Sequence, residues 1–386
     1  MSGKGKSSIQ NGIVVGHHYD FIDGLRGVAI LAVIWFHSLA LVYETFLPEM
    51  SGFYQYFVAI GFLGLTGVDL FFVISGFLIT GILIDTANLE GKYKKFYIRR
   101  SLRIFPIYYA FLFLIYFGMN PDGFMFDWQH LQYVLYMQNW GMPFYEQTPS
   151  DLSFFNHTWS LAIEEQFYLI WPFLFWSLYK KSVKLVIVTI ISMILLSWGL
   201  REYICSTGYY KFSYMATFCR LDSLGLGALL SLGFRYYKHH LEWFRLFLMS
   251  LFLLSFISLI LMASMYDNVD DLIVFIYQYG LTICSVLYAS LLGGLLISKE
   301  QSLMKRFFSN YYLREIGKIS YGMYIIHLVT IGICSNMIFQ FEMKFISAHF
   351  MLFFAACFIS FLLARLSYVY FEQPILAYKD KWASLK

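Results

Sequence analysis

Ten apolar stretches follow one another along this chain, most of them long enough to cross a lipid bilayer. A transmembrane helix needs about 17–25 apolar residues, because the hydrocarbon layer is about 30 Å thick. Within that layer every backbone polar group must be bonded inside the protein, so only helices and closed barrels span it. The sequence therefore predicts an all-α integral membrane protein, a bundle of about ten transmembrane helices. The stretches are residues 25–46, 56–84, 104–118, 159–179, 184–200, 217–234, 243–264, 272–297, 319–340 and 346–370.

The composition agrees with this fold class. Of the 386 residues, 59% are hydrophobic and 13% are charged, whereas soluble domains carry about 25% charged residues. The five cysteines form no Cys-x-x-Cys pair and lie mostly in apolar runs, which favours small buried residues over disulfides or metal ligands. The net charge of +4 requires no nucleic-acid partner, because the distribution of basic residues has a simpler explanation.

That explanation is membrane topology, since Lys and Arg accumulate in cytoplasmic loops. With the N-terminus inside, 22 of the 28 basic residues fall in cytoplasmic segments. The outer loops then hold only Arg201, Lys211 and Lys344, and the long loop 119–157 holds none. We therefore expect ten spans with both the N- and C-termini in the cytoplasm.

The first stretch carries two ionisable residues on one face. Arg26 and His37 are eleven residues apart, which on an α-helix returns to within about 20° of the same direction and separates them by about 16 Å. A guanidinium at the membrane edge and an imidazole near the middle of the bilayer therefore share one stripe. Ionisable side chains inside a membrane are costly and usually functional, so this stripe is a candidate site.

Other stretches also carry ionisable residues at membrane depth. They are Asp69 in the second, Glu164 and Glu165 in the fourth, Arg220 and Asp222 in the sixth, and His327 in the ninth. Taken singly, each is explained equally well by a salt bridge that ties two helices together. As a set, they favour one buried polar pocket, either an active site or a translocation path. Trp159, at the outer end of the fourth stretch, is by default an interfacial anchor or a core residue.

A basic loop connects the second and third stretches. Within it, Arg100 and Arg103 share a helical face at i, i+3. Arginine binds phosphate through two parallel hydrogen bonds. The same residues also suit a plain topology signal with contacts to anionic lipids, so on this loop alone both interpretations stay open.

Around these residues the chain resembles the acyltransferase 3 family, membrane O-acyltransferases that include O-acetylases of bacterial surface polysaccharides and lipopolysaccharide. The resemblance covers about residues 19–375 and rests on blocks that occur in order along the chain. They are FIDGLR (21–26) with His37, GVDLFFVISGFLI (67–79), FYIRRSLRIFP (96–106), TWSLAIEEQFY (158–168), RLDSLGLG (220–227), SYGMYIIH (320–327) and FEQP (371–374).

The resemblance implies an acyl-CoA donor, usually acetyl-CoA. The implied acceptor is a hydroxyl of a cell-surface glycan or lipid-linked saccharide. The implied location is the bacterial plasma (inner) membrane, which the chain would cross several times in contact with lipids. It assigns an arginine–histidine motif to Arg26 and His37, an RxxR motif to Arg100 and Arg103, and a participating carboxylate to Glu165. No metal is implied.

Some relatives add an extracytoplasmic esterase-like domain, for which this chain leaves no room, so we expect the standalone form. The expected organisation is a mobile cytoplasmic tail over residues 1–18, the acyltransferase 3 membrane domain over 19–375, and a short basic cytoplasmic tail over 376–386.

These expectations combine into a mechanism. The arginines would hold the CoA phosphates at the inner face, and the pantetheine arm would reach about 15 Å inward along the first helix. His37 would act as general base on the acceptor hydroxyl or would attack the thioester and carry the acyl group itself. A carboxylate such as Glu165 or Asp69 would orient the imidazole. The competing class is a transporter or flippase that uses the same polar path.

Overall fold

The computed structural model describes residues 19–46, 53–119, 127–145, 152–237, 241–263 and 269–384. Over these residues the chain is helical and contains no β-strand. The tail expected over residues 1–18 lies outside the described residues. The α-helices are α1 (Asp20–Phe46), α2 (Phe53–Phe62), α3 (Gly67–Asp85), α4 (Lys92–Met119), α5 (Trp128–Val134), α6 (Gln138–Gly141), α7 (Trp159–Tyr179), α8 (Val183–Ser206), α9 (Tyr210–Met215), α10 (Leu221–Tyr236), α11 (Leu241–Ala263), α12 (Val269–Phe275), α13 (Leu281–Ile297), α14 (Leu303–Phe308), α15 (Tyr311–Lys318), α16 (Ser320–Ile338), α17 (Phe345–Ser367), α18 (Gln373–Leu376) and α19 (Lys379–Trp382).

Eight helical segments of the described chain are long and apolar enough to cross a membrane, so the protein is a multi-pass membrane protein. They are Asp20–Phe46, Tyr56–Asp85, Lys92–Gly118, Val183–Ser206, Trp243–Met262, Val269–Ile297, Ser320–Ile338 and Phe345–Leu376.

The other two expected spans form helices that are too short or too polar to count among these eight membrane-crossing segments. The helix α10 has 16 residues, or about 24 Å of rise, less than the bilayer core. The helix α7 has 21 residues but carries Glu164, Glu165 and Gln166 within its length. A count of ten spans and the cytoplasmic location of the termini therefore stay predictions.

The basic loop expected before the third span is in fact the first part of that span. Helix α4 runs without interruption from Lys92 to Met119 and includes Pro106. Its lysines and arginines are good helix formers, so charge does not end the helix. Arg100 and Arg103 are consequently held on a rigid helix that continues into the apolar region.

Neighbouring helices pack closely at positions where glycine has no side chain to separate them. A Cβ atom at Gly227 of α10 would lie 2.1 Å from the carbonyl oxygen of Val73 in α3, and one at Gly67 would lie 2.6 Å from the carbonyl oxygen of Ala29 in α1. Backbones approach this closely in membranes where small residues line the interface. The two glycines thus allow α3 to pack closely between α1 and α10.

Candidate active site

A polar cavity opens among α1, α3, α4, α7 and α16, with about 820 Å³ of atom-free space including its open mouth. Three of the predicted site arginines line it, namely Arg26, Arg100 and Arg103, and so do both adjacent carboxylates, Glu164 and Glu165. The structure therefore brings the arginine of the first helix, the RxxR pair and the fourth-span carboxylates to one place. A cavity of this size with convergent charged groups is the usual form of a small-molecule site.

Two of the arginines in the cavity are held by neighbouring side chains. Arg26 lies 3.5 Å from Asp23, one turn earlier on α1. The guanidinium carbon of Arg100 lies 5.2 Å from the ring centre of Tyr168, a cation–π distance. The hydroxyl of Tyr168 is hydrogen-bonded to that of Ser75 on α3. The cavity wall is thus cross-linked by polar contacts between helices.

A second cavity, strongly basic, adjoins the first and shares Arg100 and Arg103 with it. Its other basic lining residues are Lys92, Lys95, Arg99 and Lys379. We call this second cavity the basic vestibule. Its one carboxylate, that of Asp85, is paired with Arg235 through two contacts of 3.1 Å. The vestibule therefore presents an excess of positive charge that suits a polyanion.

Three histidines form a cluster that lies outside the polar cavity. Nε2 of His327 lies 3.2 Å from Nδ1 of His37, and the ring centres of His157 and His327 are 4.6 Å apart. His327 and His157 are buried, while His37 is partly exposed. None of the three is among the residues that line the polar cavity.

The hydrogen bonds of this cluster define the tautomer of two neutral imidazoles. Nδ1 of His327 lies 2.6 Å from the carbonyl oxygen of Tyr324, so it carries the hydrogen and leaves a lone pair on Nε2. Nδ1 of His37 lies 2.9 Å from the carbonyl oxygen of Val33 and also faces that lone pair, so it donates. Nε2 of His37 then has a free lone pair, as a general base or nucleophile requires.

The expectation that a carboxylate orients His37 is not what the structure shows. Nδ1 of His37 contacts Val33 and His327 instead. Glu165 lies in the cavity wall, and Asp69 is bonded elsewhere. A charge inside a membrane must be paired with an opposite charge or face a wet cavity. Asp69 is paired with Arg220 and Glu165 faces the cavity, so neither contacts the imidazole.

Asp69 belongs to a buried ionic network between α3, α8 and α10. Arg220 donates to it over 2.7 Å, and Ser223 donates over 2.9 Å. Asp222 pairs with Arg201 at 2.9 Å. All four charged side chains of the two pairs are fully buried, which agrees with the salt-bridge interpretation of Asp69, Arg220 and Asp222.

One sequence expectation changes with this network. Arg201, expected in an outer loop, is an internal residue of α8, where Asp222 neutralises its charge. Of the two roles expected for Trp159, the structure shows that of a core residue. It is 6% exposed, and its ring centre lies 5.9 Å from the guanidinium of Arg220.

Sequence reasoning missed two residues of the site. His157 precedes the TWSLAIEEQFY block by one position, and Tyr324 precedes His327 by three positions on the same face of α16. Both positions were visible in the sequence, but nothing in the local pattern separates a cluster residue from a buried neighbour.

Comparison with known proteins places this arrangement among acyltransferases. The family model described as an acyltransferase domain, Acyl_transf_3, matches residues 19–365. The peptidoglycan O-acetyltransferase OatA of Listeria monocytogenes is 30% identical over 377 residues, which covers 92% of this chain and 55% of that protein. The O-acetyltransferase OatA of Staphylococcus aureus is 28% identical over 373 residues, covering 92% of this chain and 56% of that protein. The chain thus spans about half the length of these curated relatives. No solved structure matches it significantly.

Proposed function

This chain belongs to the acyltransferase 3 family, and from that premise we propose that it is a membrane O-acetyltransferase. The donor is acetyl-CoA from the cytoplasm, and the acceptor is a hydroxyl of a cell-surface glycan or lipid-linked saccharide at the outer face of the bacterial plasma membrane. The relatives named as O-acetyltransferases support the reaction class. The donor and the acceptor rest on the chemistry of the cavities and on the family.

One observation carries the proposal: the basic vestibule and the polar cavity among the helices share Arg100 and Arg103 in their walls. Coenzyme A has a polyanionic end and a long, uncharged pantetheine arm. Arginine pairs hold phosphate groups through parallel hydrogen bonds. The vestibule suits the phosphates, and the polar cavity beyond it suits the arm and the thioester.

His37 is the proposed reacting side chain. In one route, its Nε2 takes the proton of the acceptor hydroxyl as the oxygen attacks the thioester carbonyl, and the CoA thiolate leaves and is protonated. In the other, Nε2 itself attacks the carbonyl and the thiolate leaves. The acceptor oxygen then attacks the acyl group, the imidazole leaves, and the hydroxyl proton passes to the thiolate. Both routes use the lone pair that the contact between His37 and His327 leaves free.

The test is transfer of radiolabel from acetyl-CoA to glycan and lipid fractions of native membranes. We expect label with the wild type and a loss of about 10²-fold or more for His37→Ala, the usual contribution of a general base. The matched control is His349→Ala, because His349 is another buried imidazole, edge-on to Trp35 with ring centres 4.4 Å apart and away from the cavity.

Three outcomes decide between functions. Label that disappears only in His37→Ala supports the proposal. Label that persists in His37→Ala keeps the acyltransferase but removes the reacting role from this residue. No label with wild-type protein in membranes that contain the acceptor contradicts the proposal and favours a transporter or flippase that uses the same polar path.

A further inference from the structure

Tyr324 of α16 and Ser160 of α7 both line the polar cavity, and we call this pair the partition. Their hydroxyl oxygens are 2.6 Å apart, and the Tyr324 hydroxyl also lies 2.9 Å from the carbonyl oxygen of His157. Both side chains are buried, at 5% and 3% exposure. Two hydrogen bonds therefore hold the tyrosine ring in the wall of the cavity.

The histidine cluster lies directly behind this partition. The ring centre of Tyr324 is 5.1 Å from that of His157 and 5.5 Å from that of His327. The backbone carbonyl of Tyr324 accepts the hydrogen bond from Nδ1 of His327. One residue thus faces the cavity on one side and the imidazoles on the other.

Packed side chains fill the direct path along α1 from Arg26 to His37. Ile30 and Val33 lie between Arg26 and His37 on the same stripe of α1, at spacings of four, seven and eleven residues. Both are fully buried in the apolar core. The route expected for the pantetheine arm along this stripe is therefore occupied by packed side chains, whereas Tyr324 is a cavity-lining residue whose ring lies against the histidine cluster.

We propose that Tyr324, latched by Ser160, is a gate between the acyl-CoA cavity and the histidine cluster, and that the gate restricts the enzyme to short acyl groups. The part about acyl groups rests on the proposed function. When the tyrosine side chain rotates away, it breaks two hydrogen bonds and opens a passage about the width of its own ring. An acetyl group fits such a passage, whereas a longer acyl chain meets the packed residues around it.

The first test compares acyl chain lengths in membranes that contain the acceptor. The ratio of hexanoyl to acetyl transfer is measured for the wild type and for Tyr324→Ala, which removes the ring, and we expect this ratio to rise about 10-fold or more. The control is Tyr108→Ala, because Tyr108 is another buried tyrosine, donates to the carbonyl oxygen of Tyr133 over 2.8 Å and is not among the residues that line the polar cavity. An unchanged ratio in Tyr324→Ala that still transfers acetyl overturns the size restriction.

The second test measures access and requires no enzyme activity. In a background with the five native cysteines replaced by serine, His37→Cys is exposed to a membrane-impermeant methanethiosulfonate cation in inside-out vesicles. With Tyr324 intact we expect slow modification, and with Tyr324→Ala a rate at least about 10-fold higher. Tyr108→Ala serves again as the control and should leave the rate low.

The two tests separate the gate from the function. Faster modification in Tyr324→Ala supports the gate even if no acyl transfer is detected with any protein. Equal rates with and without the tyrosine overturn the gate even if acetyl transfer is robust. Gel filtration and thermal unfolding of each variant in detergent identify a protein that has not folded. If Tyr324→Ala does not fold, Tyr324→Phe replaces it, because phenylalanine keeps the ring and loses both hydrogen bonds of the hydroxyl. For Tyr324→Phe we expect a smaller rise in the modification rate.

Discussion

Nε2 of His327 lies 3.2 Å from Nδ1 of His37, a contact between two side chains that are 290 residues apart in the chain. The contact assigns the hydrogen of His37 to Nδ1 and leaves Nε2 free. A histidine base needs a partner on its other nitrogen to fix tautomer and orientation. A second imidazole here occupies the place that a carboxylate has in a Ser-His-Asp triad.

His327 is therefore predicted to be a positioning residue. We expect His327→Leu to lower kcat for acetyl transfer by at least about 10-fold, because His37 then loses one of the two partners that orient its ring and keeps only the carbonyl oxygen of Val33. KM for acetyl-CoA should stay unchanged. His327→Gln supplies an amide oxygen that accepts the same hydrogen bond and should recover part of kcat. Steady-state kinetics in membranes measure both constants. A rise in KM with normal kcat would instead place His327 in substrate binding.

The RxxR arginines are predicted to bind the donor. Arg100→Ala combined with Arg103→Ala should raise KM for acetyl-CoA about 10-fold or more, since each lost phosphate contact weakens a charge-assisted interaction. Lysine at both positions should recover little, because lysine lacks the planar fork of arginine. Arg306→Ala, which removes an exposed positive charge from α14, is the control. A KM equal to that of the wild type would show that the two arginines do not bind the donor and would favour their interpretation as a topology signal.

The Asp69–Arg220 pair is predicted to be structural. Arg220→Met should destabilise the protein by about 3–5 kcal/mol, because it leaves a buried carboxylate without its partner. The double variant Asp69→Leu with Arg220→Met should recover most of that loss, since an apolar pair needs no compensation. Thermal unfolding in detergent measures stability. If the double variant is stable but transfers no acetyl group, Asp69 has a role in the reaction after all.

Gly227 is predicted to be essential for the contact between α3 and α10. A methyl group there would lie 2.1 Å from the backbone oxygen of Val73, so Gly227→Ala should cost about 1–3 kcal/mol through overpacking. Gly233 on the same helix has no atom within 4 Å of the position of a Cβ, and Gly233→Ala should be neutral or slightly stabilising. Equal melting temperatures for the two variants would show that the helices separate freely at this point.

Local sequence was enough to identify the long helices and the charged residues of the polar cavity. Hydropathy found every long helix, because an apolar run in a membrane must be helical to bond its own backbone. The helical repeat also placed Arg26 and His37 on one stripe of α1. The charge pattern predicts a loop before the third span, and this prediction is wrong, because the charged segment is the first part of α4. Charge marks contact with water and does not end a helix.

The fold class, the family and the set of arginines and carboxylates that build the cavity all followed from the sequence alone. Which charges pair with each other and which face the cavity depends on how the helices pack in three dimensions. Asp69 and Glu165 are both acidic residues at membrane depth, yet one is neutralised by Arg220 and the other lines the cavity. The partner of His37 and the position of Tyr324 were likewise set by how α1, α7 and α16 pack. The physical reason is that helical periodicity fixes directions within one helix, whereas a contact between helices depends on the packing of all of them.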